Sequence, residues 1–534
     1  MWRELVPALS IANLCYIEVW ASLLHPAYHF FRKSPPSPGS IAAALLGVLL
    51  LTVLFWAALA VSRRSSSAWA RRAGQAVFLL GSVVAGDFVV RHVFQQVMLR
   101  LGFYEWQPLF YVFLVVLVVV ALVLWLLQDV RLAQVCALVL FPVFLITVGQ
   151  AGWLLLRPPE PQAFADSPSA PFQTERPAQS QRVLWLLFDE MDFRLAFVQR
   201  PESIQLPELD QLQQEAVFAG NAYEANTSTY MSIPSLLSGR RLRNAIPGGL
   251  DDMRLVLTEA ENGGETTLER NLFSQAHAAG FNAAVVGWYL PYCRLLGSSL
   301  VSCSWQTAYL QGERGASVVD LAARQALLMA YYAPSPAQPY LNSMLVTRRL
   351  LDLERSYHQD AYQQILAQAR AVVVDPRLDL VFVHWPVPHA PAIYDRRRDT
   401  FDLRGESSYL DNLELADRTL GEVRRWLEEA GLWDSTVVLV SADHGWKWDY
   451  WQTQPLWNEE EAEVAVRLDA RVPFLLKLAG QRREFDYSPA FNTVLTKDLL
   501  LALLRSQLSA PEEVEAWLDT HRGSVGLRPT DPPR

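Results

Sequence analysis

Cysteine is scarce, with four in 534 residues, which excludes a small disulfide-stapled scaffold. Positive charge is also short: 46 Lys and Arg against 55 Asp and Glu leave a net −9, and only four of the 46 are lysines. A nucleic-acid binder driven by net charge is therefore excluded. Charged residues make up 19% of the chain and hydrophobic ones 51%. That is too apolar for a disordered chain or an ordinary soluble cytosolic enzyme, and too polar for a pure transporter. The first apolar run, Leu5–Leu24, lacks the basic start and small-residue cleavage site of a signal peptide, so it reads as a retained anchor. No repeat recurs at a solenoid period.

What is present is divided unevenly. Residues 1–156 hold ten Lys/Arg against five Asp/Glu, and the remainder holds 36 against 50. Runs of about 20 apolar residues, the length of a membrane span, occur only in the first part. Five qualify: Leu5–Leu24, Ile41–Val61, Gly74–Val93, Pro108–Leu127 and Leu132–Leu156. With Arg3, Arg63, Arg64, Arg71, Arg72 and Arg131 on one side and Arg32, Lys33 and Arg100 on the other, the positive-inside rule sets the N-terminus in the cytoplasm. Five spans then carry everything after Leu156 across the membrane. Asp87 and Arg91 lie four apart and can pair within a span or meet a lipid headgroup. Residues 157–181 contain six prolines, a composition suited to a tether. The expected organisation is a five-helix all-α transmembrane bundle (1–156), a linker (157–181) and an extracytoplasmic domain (182–534).

In the second part, aliphatic runs alternate with amphipathic stretches: Val183–Phe188, Ala283–Tyr289, Leu378–Trp385, Thr436–Ala442 and Val472–Leu478. The pattern predicts a mostly parallel sheet covered by helices on both faces. Such α/β sheets bind ligands beyond the carboxyl ends of their strands. Two of these ends carry chemistry: Asp189-Glu190 after the first run, and Asp443-His444-Gly445 after the fourth. Carboxylates and an imidazole converging there would form a mixed oxygen and nitrogen site for zinc or manganese, with Asp189, Glu190, Asp443 and His444 as ligands. A third element is the hydroxyl-rich stretch Asn226–Arg240, which leads into a helix. A hydroxyl at a helix N-terminus next to a divalent metal is a nucleophile for phosphorus or sulfur. From the residues alone, Thr227, Thr229 and Ser232 are equal candidates. His277 and His358 fall in amphipathic helical contexts and read as surface residues. Cys15 and Cys136 lie within predicted spans, whereas Cys293 and Cys303, ten positions apart, are expected to form a disulfide in an oxidising compartment.

These segments together resemble the alkaline-phosphatase superfamily, on the branch of sulfatases and membrane phosphoethanolamine or phosphoglycerol transferases. The resemblance covers Arg182 to about Leu478. Leu206–Tyr223 is similar to the stretch between first metal ligand and nucleophile in sulfatases. TSTYMSIP (Thr227–Pro234) resembles the nucleophile motif of lipid A phosphoethanolamine transferases, which implies Thr229. The sulfatase register, counted back from Gly239, implies the same residue. HWPVPHAPAIYD (His384–Asp395) resembles the transferase segment that implies His389, and with it His384, as substrate contacts. YLDNLELAD (Tyr409–Asp417) and SADHG (Ser441–Gly445) match two further transferase motifs.

The departures are specific. Position 190 is Glu where the transferases have Ser. The sulfatase Cys/Ser-x-Pro-Ser-Arg signature is absent, so no formylglycine can form. Trp446-Lys447-Trp448 follows the DHG motif, and no downstream histidine occupies the usual place; Lys447 is the candidate for the charge it would supply.

The resemblance implies a transferase of the bacterial inner membrane that uses one or two divalent metals, zinc first and manganese or calcium as alternatives. Its donor would be a membrane phospholipid and its acceptor an envelope lipid or glycan, with no nucleic-acid partner. Two other readings compete: a phosphate or sulfate ester hydrolase using the same site, and an inactive metal-binding partner of an envelope assembly.

Overall fold

A computed structural model describes residues 2–91, 107–158, 161–167, 169–173, 177, 180–258, 261, 263–307, 316–331, 345–402, 407–452, 457–465, 469–524 and 526. The chain divides into two compact units. One comprises Met1–His29, Ser34–Ala163 and Gln311–Leu350; the other comprises Phe30–Lys33, Phe164–Leu310 and Leu351–Arg534.

The first unit is helical: α1 (Trp2–Cys15), α2 (Ile17–Leu24), α3 (Pro38–Arg64), α4 (Ala68–Val89), α5 (Gln107–Leu126), α6 (Arg131–Val139) and α7 (Phe141–Leu156). Ser37 and Ser67 cap α3 and α4 by accepting the N–H groups of Ser40 and Ala70, which satisfies donors that a helix start leaves open. Both helices are long and apolar enough to cross a membrane. Two bent pairs raise the number to four if each is one span: α1 with α2 at 61° and α6 with α7 at 40°. Pro142 stands in the first turn of α7. With no N–H to donate and a ring that clashes one turn back, it accounts for the second bend. The described apolar stretch of α5, Val112–Leu126, is shorter. Two to four helices of this length and composition suggest anchoring in a membrane. Arg91 and Asp87 form the expected ion pair. Arg100, the end of the Gly74–Val93 run and parts of the proline-rich segment lie outside the described residues.

The second unit is built on an eight-stranded sheet. Its strands are β1 (Arg182–Asp189), β2 (Val217–Ala219), β3 (Ala283–Trp288), β4 (Ser302–Gln306), β5 (Leu380–Pro388), β6 (Thr436–Ala442), β7 (Phe474–Lys477) and β8 (Phe485–Tyr487), in the order β8-β2-β7-β6-β1-β5-β3-β4. Only β7 runs against its neighbours. The fold is thus the expected mostly parallel α/β layer, with three further strands that left no apolar run: β2 and β8 have three residues each, and β4 reads SCSWQ. Side chains alternate along β1. Val183, Trp185 and Leu187 enter one core with Ile233, Leu236 and Leu237 of α8 (Thr229–Ser238). Leu184, Leu186 and Phe188 enter the other with Leu410, Leu413 and Leu420 of α9 (Tyr409–Glu429). Burial on both faces explains why the strands read as continuous apolar runs.

Candidate active site and metal centre

The central strands β1 and β6 lie side by side in parallel register, Phe188 opposite Ala442, so the residues that follow them emerge at the same edge. The pairing of β1 with β5 slips between Phe188 and Asp189, an irregularity that re-aims a strand end. Asp189, Asp443 and His444 each offer a ligand atom within 4.8 Å of the others, and all three are buried.

The hydrogen bonds fix the state of this cluster. His444 Nδ1 donates to the carbonyl of its neighbour Gly445 at 2.9 Å, which leaves Nε2 as a lone pair facing inward, the tautomer a metal requires. Glycine is needed at 445 because a Cβ there would meet the Asp469 carbonyl at 2.8 Å. The Gly445 N–H donates to Glu224 Oε2 at 3.0 Å, and burial pushes the Glu224 carboxyl up to about 8. Thr229 opens α8 and donates its hydroxyl proton to Asp189 Oδ1 at 3.1 Å, with its oxygen 3.2 Å from His444 Nε2. Asp189 Oδ2 accepts the Trp288 indole N–H at 3.0 Å. Asp443 Oδ1 accepts the backbone N–H groups of Glu190 and His444, at 3.0 and 2.9 Å. Asp443 Oδ2 accepts no hydrogen bond: the Thr229 proton is given to Asp189, and His444 Nε2 carries none.

Burial, with the charge of Asp443 beside it, drives the Asp189 carboxyl well above its ordinary range. Burial also acts to raise Asp443, but the hydrogen bond donated by the Glu190 N–H helps to hold this carboxyl low. Burial keeps His444 neutral. Two buried carboxylates, an inward lone pair and an orphaned oxygen are costly together without a cation. The donor set fits a divalent metal.

Of the three hydroxyl candidates, only Thr229 reaches this cluster. Thr227 is exposed, and Ser232 Oγ donates to the Asn226 carbonyl at 2.6 Å. The Glu190 carboxylate is not brought in. It accepts the Lys447 N–H at 2.7 Å and the Trp451 indole N–H at 3.1 Å. Glu190 thus braces the loop after β6 while its backbone N–H serves Asp443. Its φ of 70° is a left-handed conformation for a residue with a Cβ, of the kind retained at functional sites.

His384, on β5, has Nε2 3.9 Å from Asp189 Oδ2 and is joined through Nδ1 to the Tyr292 hydroxyl at 2.8 Å. Burial lowers it to about 4. His389 follows β5, and its backbone N–H donates to the Asp189 carbonyl at 3.1 Å. Burial acts to lower its ring, but Asp189 and Glu190 outweigh it and raise it. Asn412 of α9 holds this loop, accepting the Ile393 N–H at 2.9 Å and donating to the His389 carbonyl at 3.1 Å. Lys447 is half-buried. Cys293 and Cys303 are joined as a disulfide.

His358 is not the surface residue its helical context predicts. It is buried, with Nε2 2.9 Å from the Pro386 carbonyl and its ring stacked on His389. Trp446 and Trp451 are also buried, packed on Tyr409, so they line the core. Arg396, in the basic cluster at 396–398, is taken up by Asp411 and Glu460. Asn412 belongs to the YLDNLELAD stretch, whereas Trp288, Tyr292 and Glu224 had no local pattern to announce them. Each comes from a separate element and becomes visible only when the chain is folded.

Residues 181–491 match the sulfatase family model. The chain belongs to the sulfatase family. It is therefore an enzyme of sulfatase type. The comparison with curated proteins gave no match. Among solved structures, the chain is similar to a phosphonate monoester hydrolase from Silicibacter pomeroyi, at 17% identity over 61% of this chain and 73% of that one, TM-score 0.38. It is also similar to a sulfatase from Pseudoalteromonas sp., at 14% identity over 62% and 69%, TM-score 0.40.

Proposed function

We propose that the protein is a membrane-anchored, metal-dependent transferase. Thr229 takes a phosphoethanolamine- or phosphoglycerol-like headgroup from a membrane phospholipid and passes it to an envelope lipid or glycan. The observation that carries this reading is the buried Thr229 hydroxyl between Asp189 Oδ1 and His444 Nε2. It sits at the N-terminus of α8, where the backbone field favours an anion.

Asp189, Asp443 and His444 would hold the metal, with the Thr229 oxygen beside them; zinc suits this set, and manganese or calcium are the alternatives. Bound there, the ion makes the hydroxyl easier to ionise and stabilises charge on the phosphoryl oxygens. Asp189 orients the Thr229 proton. The threonine oxygen gives up its proton and bonds to phosphorus as the bond from phosphorus to the glycerol oxygen of the lipid breaks, and that oxygen takes up the proton. An acceptor hydroxyl then displaces Thr229 from phosphorus, and its proton restores the threonine hydroxyl. His389, whose two acidic neighbours favour its charged form, is our choice for the phosphate contact, with His384 and Lys447 flanking it. In this reading the helical unit lies in a bacterial inner membrane and the α/β unit lies outside the cytoplasm.

The family name supports a second reading, ester hydrolysis with water as acceptor. The missing formylglycine signature weighs against sulfate esters, because Thr229 stays a hydroxyl. Intact-mass analysis of protein incubated with phospholipid vesicles tests both readings. A headgroup-sized adduct on Thr229 that moves to an added acceptor supports transfer, whereas free headgroup without acceptor supports hydrolysis. Full activity in Thr229→Ala would sink both.

A further inference from the structure

We infer that Phe30–Lys33 braces the site and that Phe31 is a positioning residue for Thr229 and Asp189, an inference that rests on the reading of Thr229 as nucleophile. These four residues belong to the unit that carries the site, although the sequence on either side of them belongs to the helical unit. A chain beginning at the proline-rich segment would lack them.

Both ends of the segment are anchored. Arg294 donates through Nη2 to the Phe30 carbonyl. Lys33 Nζ donates to Gln306 Oε1 at 3.1 Å and lies 5.2 Å from the centre of the Trp305 ring. Arg294 lies 5.4 Å from the same ring. Between these anchors Phe30 and Phe31 are buried and meet edge to face at 5.0 Å.

Phe31 reaches two residues that each adjoin a site residue. Its ring is 5.7 Å from that of Tyr230, which follows Thr229, and 5.5 Å from that of Tyr289, which follows Trp288. Trp288 is the indole donor to Asp189 Oδ2. Tyr289 has a φ of 76°, a conformation that persists only where surrounding contacts impose it. Those contacts are on the page: the Phe31 ring on one side, and the Gln306 carbonyl, which accepts the Tyr289 N–H at 2.9 Å, on the other. Lys33 holds the same Gln306 through its side chain. Thr229 opens its helix after Ser228, whose side chain makes no capping bond, and the Phe31 ring packs on Tyr230 within that first turn. One aromatic ring thus sets the nucleophile and the partner of its carboxylate against each other. Displacement of a reacting group by about 1 Å can cost on the order of a hundredfold in rate.

The test uses the full-length protein in detergent, with Co²⁺ as the metal probe and bis(4-nitrophenyl) phosphate as the ester probe. Phe31→Ala is expected to shift the visible absorption of bound Co²⁺ and to lower kcat by about tenfold with KM changed less than about twofold. Phe31→Tyr should restore both. Leu518→Ala opens a cavity in the same core, on the C-terminal helix. It should lower Tm comparably while leaving the Co²⁺ spectrum and kcat as in wild type. If Phe31→Ala lowers Tm alone, the brace is wrong while the proposed function stands. If wild type does not turn over the ester yet Phe31→Ala still shifts the Co²⁺ spectrum, the brace stands and the catalytic reading falls.

Discussion

The two units break opposite rules. Among the described residues, the large hydrophobic side chains left exposed fall almost wholly in the helical unit; Phe172 and Val198 are the exceptions in the α/β unit. The α/β unit does the reverse, burying Asp189, Asp443, His384 and His444 at one edge of its sheet. Exposed apolar surface on this scale marks an interaction surface, and buried carboxylates need compensation. Under the proposed function each unit is completed by something outside the polypeptide: a lipid for the first and a cation for the second.

The sharpest way to break this contrast is at Thr229. Thr229→Ala removes a hydroxyl without removing a charge. Ester turnover should fall by about 10³-fold or more, while bound metal, read by elemental analysis, stays near the wild-type stoichiometry. Loss of metal together with activity would mean that the buried cluster depends on the hydroxyl for its assembly.

A matched pair of valines comes next. Val116 and Val198 are 51% and 54% exposed, so a soluble protein would treat them alike. If lipid faces the helical unit, Val116→Lys costs about 2.5–3.5 kcal/mol of insertion free energy and should lower the membrane-fraction yield sharply. Val198→Lys should stay within about 0.5 kcal/mol of wild type. Equal effects would erase the distinction.

Chelation probes the other side. A metal present at about 100 times its Kd stabilises the folded state by about 2.7 kcal/mol, so EDTA should lower Tm and added Zn²⁺ should restore it. Asp443→Asn should lose that response. Its Tm should also be no lower than that of metal-free wild type, because it removes one of two crowded charges. A Zn²⁺-dependent rise in Asp443→Asn would move the site elsewhere.

How far the sequence reached follows from the same contrast. The helical unit was legible because an apolar run needs no tertiary context to be recognised. Asp189 and Asp443 were legible because each ends a run of buried β residues in a parallel sheet, where the strand's carboxyl end is the ligand edge. Thr229 was not separable from Thr227 and Ser232 by residue chemistry, since all three are small hydroxyls before a helix; resemblance chose it. Glu190 was grouped with Asp189 by adjacency, although the left-handed turn at 190 sends its carboxylate to the loop after β6. His358 read as surface because its helix is amphipathic, but its ring contacts with Pro386, His389 and Trp288 all come from distant segments. Trp288 and Glu224 left no trace at all, because an indole after a strand and a glutamate in a loop are common and only the fold aims them.

The smallest expected effect asks whether any buried acid of the α/β unit behaves like Asp443. Asp417 is buried, but its oxygens accept the N–H groups of Glu208 and Leu209 at 3.3 and 2.7 Å, at the start of the Pro207–Gln213 helix. No imidazole lone pair faces it among those contacts, so it should take a proton where Asp443 takes a cation. Burial raises its carboxyl from 3.8 to about 7. The folded state therefore binds this proton more tightly than the unfolded chain. Its contribution to stability is full below about pH 4 and is lost as pH rises through about 7. Glu461, raised by burial to about 7, acts in the same direction, so the comparison must be with a variant. The Tm of wild type minus that of Asp417→Asn should fall by a few degrees, roughly 1 kcal/mol, between pH 6 and pH 8. Parallel curves would show that the N–H groups hold Asp417 ionised throughout, and that burial alone does not separate it from the acids of the site.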